Sequence, residues 1–210
     1  MTARLIESHD DIAEGCAWLI GVEPRFGPAL EQTGPPPLRR REAGYPSLLH
    51  AICGQQLSVA AAGSVWNKLC EAEANDPGTL LGMDEAALRA CGLSRPKIKY
   101  ARALAEADLD YPALADMPVD DAIAELTAIK GIGVWTAEIY LMFSVGRADV
   151  FAHGDLALQE ASRVLLDLPE RPAEKPMREI AMAWSPWRGV AARLLWAYYR
   201  VIKNREGITE

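Results

Sequence analysis

The chain has 210 residues, half of them apolar and about a quarter charged, the balance of a folded protein with material for one large or two small cores. No apolar run approaches the roughly 20 residues that span a bilayer, and the start, MTARLIESHDDIAEG, has early acids and no apolar signal block, which reads as cytoplasmic with no membrane partner. A net charge of −7 argues against a polyanionic partner as a total, although the basic residues are unevenly spread.

In chain order, the proline-rich TGPPPLRRREAGYPS (33–47) is the one obvious loop or linker, and it carries Arg39, Arg40 and Arg41. PSLLHAICGQ then opens on proline and ends near glycine, and SVAAAGSVWNKLCEAEA begins at a good N-cap, Ser58. DEAALRACG runs from Asp84 to a terminal Gly92. SRPKIKYARALAEA follows with Ser94 as cap and Pro96 in the first turn. No acid lies between Glu85 and Glu106, while Arg89, Arg95, Lys97, Lys99 and Arg102 crowd that interval. These form either a locally basic face or solvated helix surface. VDDAIAELTAI and VWTAEIYLMFSVG come next, then DLALQEASRVLLDL with Asp155 as N-cap. The last segment, SPWRGVAARLLWAYYRVIK, has Ser185 as cap and Pro186 at the first helical position. Val190, Ala191, Leu194, Leu195, Tyr198, Val201 and Ile202 form one apolar stripe along it. Alternating strands and internal repeats are absent, so the reading is all-α with two helical lobes.

Cys16, Cys53, Cys70 and Cys91 form no CxxC pair, and His9, His50 and His153 are scattered. A zinc or iron–sulfur site needs clustered ligands, so no metal is expected and the thiols read as buried and reduced. Trp18, Trp66, Trp184, Trp187 and Tyr140 read as core.

LTAIKGIGVWTAE (126–138) interrupts helix with Gly131-Ile132-Gly133 and restarts at once. Glycines there permit a positive φ and a close approach to the backbone. The following helix offers unpaired N–H groups and the positive end of its dipole. This is either a phosphate cradle with Ile132 anchored inward or a tight helix–helix turn.

The stretch resembles the hairpin of the helix-hairpin-helix (HhH-GPD) DNA glycosylase superfamily. Three further blocks match in order: GQQLS (54–58), similar to a loop that wedges into DNA; VFAHGDLALQEA, which puts Asp155 in the place of the catalytic aspartate; and SPWRGVAARLLWAYY, similar to the 3-methyladenine DNA glycosylase II (AlkA-like) branch. The resemblance covers about 45–202. It implies a two-lobed helical fold with the active site in the cleft between lobes. Residues 1–210 make one glycosylase unit, with 1–44 and the C-terminal helices as one lobe and 45–145, ending in the hairpin, as the other.

By the same resemblance, Asp155 would stabilise the positive sugar as an N-glycosidic bond breaks; on position alone the plain helix cap is the favoured reading. Gln55, Gln56, Leu57 and Ser58 would enter the duplex after base flipping, with Gln56 or Leu57 as the wedge, although the loop alone reads equally as an internal connection. Lys130, Gly131, Ile132, Gly133, Val134 and Thr136 would contact DNA. Trp135, Ile139 and Trp196 would line the base pocket, where an electron-poor alkylated base gains cation–π attraction. His153 reads as pocket-lining or as a satisfied loop histidine.

The catalytic lysine of the endonuclease III and oxoguanine branches is replaced by Trp135, and no cysteine follows Cys91. The implied enzyme is a monofunctional glycosylase acting as a monomer on double-stranded DNA with damaged bases. The implied cofactor list is empty apart from a monovalent cation on the carbonyls of Thr127, Ile129 and Ile132. The alternatives are a non-catalytic hairpin module that binds DNA and a helical scaffold with no nucleic acid.

Overall fold

The computed structural model describes residues 4–205, with backbone alone for Arg205. Among the described residues twelve α-helices follow in order: α1 His9–Val22, α2 Phe26–Thr33, α3 Tyr45–Gly54, α4 Val59–Glu71, α5 Pro77–Gly82, α6 Glu85–Ala90, α7 Arg95–Glu106, α8 Val119–Ala128, α9 Val134–Tyr140, α10 Leu156–Leu165, α11 Glu174–Ala181 and α12 Arg188–Arg205. No strand occurs among them; one isolated bridge pairs Leu5 with Arg147. The all-α reading holds. No helix among the described residues is long and apolar enough to cross a membrane.

The chain forms two compact units. One comprises the described residues up to Arg40 and those from Leu141 on; the other is Arg41–Tyr140. The first unit is built on α12, against which α1, α2 and α10 pack. The approach of α1 depends on Gly15, where a Cβ would sit 2.6 Å from Val190 Cγ2. Phe26 and Phe151 pack on buried Trp184 with ring centroids 5.4 and 5.5 Å away. Trp187 is buried as expected, whereas Trp18 is half-buried. In the second unit α3 is central, packed by α4, α7 and α9. Buried Tyr140 accepts a hydrogen bond from Gly44 N at 2.8 Å, as a core residue does.

Four helices (α1, α2, α5 and α11) lie outside the sequence reading. The first starts at a capping box in which Ser8 and Asp11 satisfy each other's backbone N–H groups. The last helix starts later than expected, at Arg188 and not Pro186. The Ser185 hydroxyl donates to Asp149 Oδ2 at 2.8 Å, and Trp187 N bonds the Trp184 carbonyl, so the would-be cap belongs to a preceding turn. Burial on α12 is wider than one stripe: 190–195 is buried all round, including Arg193, while Tyr198 and Val201 are half-buried.

Leu141–Val145 is a π-helical turn directly after α9. Such turns loosen the backbone hydrogen-bond ladder and frequently mark functional sites. The four thiols are unpaired, and Cys16, Cys53 and Cys91 are buried. Burial pushes the Cys16 thiol up to about 11 and that of Cys53 up to about 12, which keeps them protonated and inert. Trp66, expected in the core, instead walls a surface cavity with Arg41 and His50, meeting the imidazole edge-on at 5.0 Å.

Candidate functional site

The two hairpin glycines do different jobs. Gly131 has φ +99°, and a Cβ there would lie 2.3 Å from Tyr100 Cγ, so it allows both the turn and the packing of α7 against it. Gly133 is exposed with no atom within 4 Å of its Cβ position, so the space above its backbone is open. The Ile132 amide closes the turn on the Ile129 carbonyl at 3.1 Å, and its side chain is buried as the anchor. Lys130, Val134 and Trp135 are exposed, the last by 51%; Thr136 and Ile139 are half-buried.

The loop after α3 belongs to the same unit and is tied to the hairpin. Gln55 donates its side-chain amide to the Gly131 carbonyl at 2.9 Å. That bond ties the loop to the hairpin turn. Gln56 is exposed at φ +58°, a conformation rare outside glycine and typical of functional sites. Leu57 is 41% and Val59 92% exposed. The Ser58 hydroxyl accepts from Ala61 N, capping α4. Exposed Val59 is a member of this edge that the sequence reading missed.

The basic interval before the hairpin does not form the open cationic face it suggested. Lys97 donates to the Cys53 carbonyl at the end of α3, Arg102 donates to the Met83 carbonyl, and Arg95 pairs with Glu85. Lys97 and Arg102 thereby satisfy carbonyl groups at helix ends. Arg89 and Lys99 of that interval remain exposed without such a bond among the described residues.

In the other unit Asp155 caps α10, with Oδ1 accepting from Ala157 N at 2.9 Å and Leu158 N at 3.0 Å. The same oxygen accepts from Trp196 Nε1 at 3.2 Å. Two candidate residues far apart in sequence are thus brought together. An N-cap needs only one carboxylate oxygen, so capping does not by itself preclude a second role for Asp155. Leu156, next along, is 61% exposed. His153 is buried against the Phe151 ring, and its carbonyl accepts from Gln159 Nε2, so it is a core histidine of the loop.

Trp196 is itself held from behind. Its ring lies 5.7 Å from Phe143, which the π turn presents. Arg193 stacks 4.5 Å over the same phenyl ring. The buried Arg193 guanidinium donates to the carbonyls of Gly189, Met142 and Leu38. Arg40 Nη1 donates to the Ser144 carbonyl, so the π turn's carbonyls are met by arginines. Burial, then the charges of Arg40 and Arg39, lower the Arg193 pKa to about 10; it stays charged at neutral pH. Neither Arg193 nor Phe143 was among the residues singled out by sequence, which offers no cue for a π turn.

The family model of the HhH-GPD superfamily base excision DNA repair protein matches residues 49–186. The chain belongs to that superfamily. The matched span includes the wedge loop, hairpin and Asp155 but ends before Trp196. Among relatives of the superfamily, DNA-3-methyladenine glycosylase 1 of Schizosaccharomyces pombe is 34% identical, over 72% of this chain and 71% of that protein. The alkylbase DNA glycosidase-like protein mag2 of the same yeast is 28% identical over 85% and 89%. The crystal structure of DNA-3-methyladenine glycosidase from Bacillus halodurans superposes with a TM-score of 0.83 at 30% identity, covering 97% of this chain and 95% of that one. The S. pombe 3-methyladenine DNA glycosylase Mag1, solved with abasic DNA, gives 0.71 at 30% identity, covering 87% and 95%.

Proposed function

We propose that the protein is a monofunctional DNA glycosylase that extrudes alkylated purines of the 3-methyladenine type and hydrolyses their N-glycosidic bond. The observation that carries this reading is the Trp196-held carboxylate of Asp155 in a chain whose other unit presents the hairpin and an exposed Gln56–Leu57 loop. An N-alkylated purine is already cationic and leaves without protonation. The enzyme must stabilise the positive sugar, which a fixed carboxylate does electrostatically. Gln56 and Leu57 would fill the gap left by the extruded base, the amide pairing with the orphaned partner. The partly exposed indoles of Trp135 and Trp196 each offer a face to an electron-poor base. A non-catalytic DNA-binding module would have no use for the Asp155–Trp196 bond.

The reading is tested with duplexes carrying single 3-methyladenine, 7-methylguanine, ethenoadenine or hypoxanthine. Cleavage of the alkylated strands only after alkali supports it; no abasic sites from any of them contradicts it. Borohydride added during turnover should trap no covalent protein–DNA adduct. Strand-cleaving relatives use a lysine amine to form a Schiff base, and Trp135 occupies that place. An adduct that disappears when a lysine is replaced would show a lyase.

Gly133→Asp is expected to leave the melting temperature unchanged, since its Cβ position is open. It should weaken binding to damaged and undamaged duplexes alike by on the order of tenfold, because phosphate contacts carry no sequence information. Equal affinities in a titration would remove the hairpin from the DNA contact. A monovalent cation suits the end of α8, where the last carbonyls have no intrahelical donors. Thr127, Ile129 and Ile132 would hold it, and it would add positive charge towards a phosphate.

A further inference from the structure

We infer that Arg39 and Arg200 form a phosphate site next to the Asp155–Trp196 pair, and that it takes a phosphodiester of the DNA strand under repair. The inference rests on the glycosylase reading for its ligand, but on independent residues. A small recess is walled by Pro37, Arg39, Phe143, Arg193, Trp196 and Arg200. No carboxylate lines it. The donors of Arg193 are engaged by three carbonyls, so it contributes charge and a rigid floor. Arg39 and Arg200 are exposed and make no ion pair or hydrogen bond among the described residues.

Several features separate this cluster from ordinary surface charge. Like charges are gathered from two segments, with Arg39 and Arg40 on the proline-rich stretch and Arg193 and Arg200 on α12, in a protein of net charge −7. Burial first, and then the charges of Arg40 and Arg39, lower the Arg193 pKa. Along α12, Arg193, Trp196 and Arg200 follow at helical spacing and share one face. Arg39 sits at φ +48°, a left-handed conformation that arginine seldom adopts.

The recess, at about 10 Å³, has room for one water-sized group, so it excludes a base and admits a single oxygen of a group bound at its mouth. Guanidinium groups bind phosphate oxygens through paired N–H bonds. Trp196 belongs both to this wall and to the bond that fixes Asp155, so a phosphate here would lie one residue away from the carboxylate that acts on the sugar. The site supplies, in this unit, the cationic contact that the interval around Lys97 and Arg102 does not.

The test compares wild type with Arg39→Gln/Arg200→Gln in binding a duplex that carries a tetrahydrofuran abasic analogue, over a range of salt. Losing the two arginines that neutralise this one phosphate should reduce the slope of log affinity against log salt by about 0.9 and weaken binding at least roughly tenfold. An Arg89→Gln/Arg178→Gln variant controls for net charge and should keep the wild-type slope. A methylphosphonate placed singly along the strand should weaken wild type at one position and leave the double variant indifferent there. A double variant with wild-type slope, in a wild type that excises alkylated bases, overturns this inference alone. A wild type that binds with the steep slope but excises nothing leaves the phosphate site standing and rejects the glycosylase reading. Side-chain resonances of Arg39 and Arg200 that respond to inorganic phosphate, with no effect of the double variant on DNA binding, would make it a free-anion site and overturn its assignment to DNA.

Discussion

Asp155→Asn is expected to bind a damaged duplex as wild type does and to excise the base on the order of 10²–10³ times more slowly. The substitution is informative because it separates the two roles of the residue. Asparagine is as good an N-cap as aspartate, and its side-chain oxygen can accept from Ala157 N, Leu158 N and Trp196 Nε1 as Oδ1 does now. The start of α10 and the hold on Trp196 should survive, so the melting temperature should not move. Only the negative charge is lost, and that charge is what the developing positive sugar requires. Single-turnover excision of a 3-methyladenine duplex reads the effect, and a rate near wild type would reduce Asp155 to a cap.

Arg193→Met should destabilise the fold by about 2–4 kcal/mol, the scale of breaking a buried, hydrogen-bonded charge network. Methionine fills a similar volume but donates nothing. The Gly189 carbonyl can turn to its intrahelical partner, whereas the Met142 carbonyl, freed by the π turn, loses its donor at 2.9 Å. A fall of roughly 5–15 °C in melting temperature follows for a chain of this size. Below that transition excision should also slow, because Phe143 loses the guanidinium that backs it and Trp196 loses a firm neighbour. An unchanged melting curve would show that the π turn does not depend on Arg193.

The legible parts of the sequence were those governed by local rules. Ser58, Asp84 and Asp155 cap their helices as their side chains predict, and the Gly-Ile-Gly stretch makes the turn its glycines permit. Long-range packing was less legible. The α1 helix buries Ile12, Cys16 and Leu19 behind an acidic start, and no local pattern shows that Gly15 lets Val190 pack against it. The run from Arg95 to Arg102 read as either a basic face or solvated helix surface, yet two of its cations satisfy backbone carbonyls of other segments, a use that no local pattern reveals. Ser185 illustrates the opposite failure: its cap signature is sound, but Asp149 takes its hydroxyl. At the site, Asp155 and Trp196 were each nameable from motif blocks. Their bond is a long-range contact between α10 and α12, and the Arg193–Phe143 contact beside Trp196 comes from a π turn with no sequence signature.

The central claim is that Asp155 drives hydrolytic release of an alkylated base. Its most direct test is to treat methylated duplex DNA with the protein, separate the small molecules and identify them by mass. The account predicts free 3-methyladenine from wild type, none above background from Asp155→Asn, and strands that stay intact until alkali is added. Release of no free base by wild type, or release at the same rate by Asp155→Asn, would contradict it.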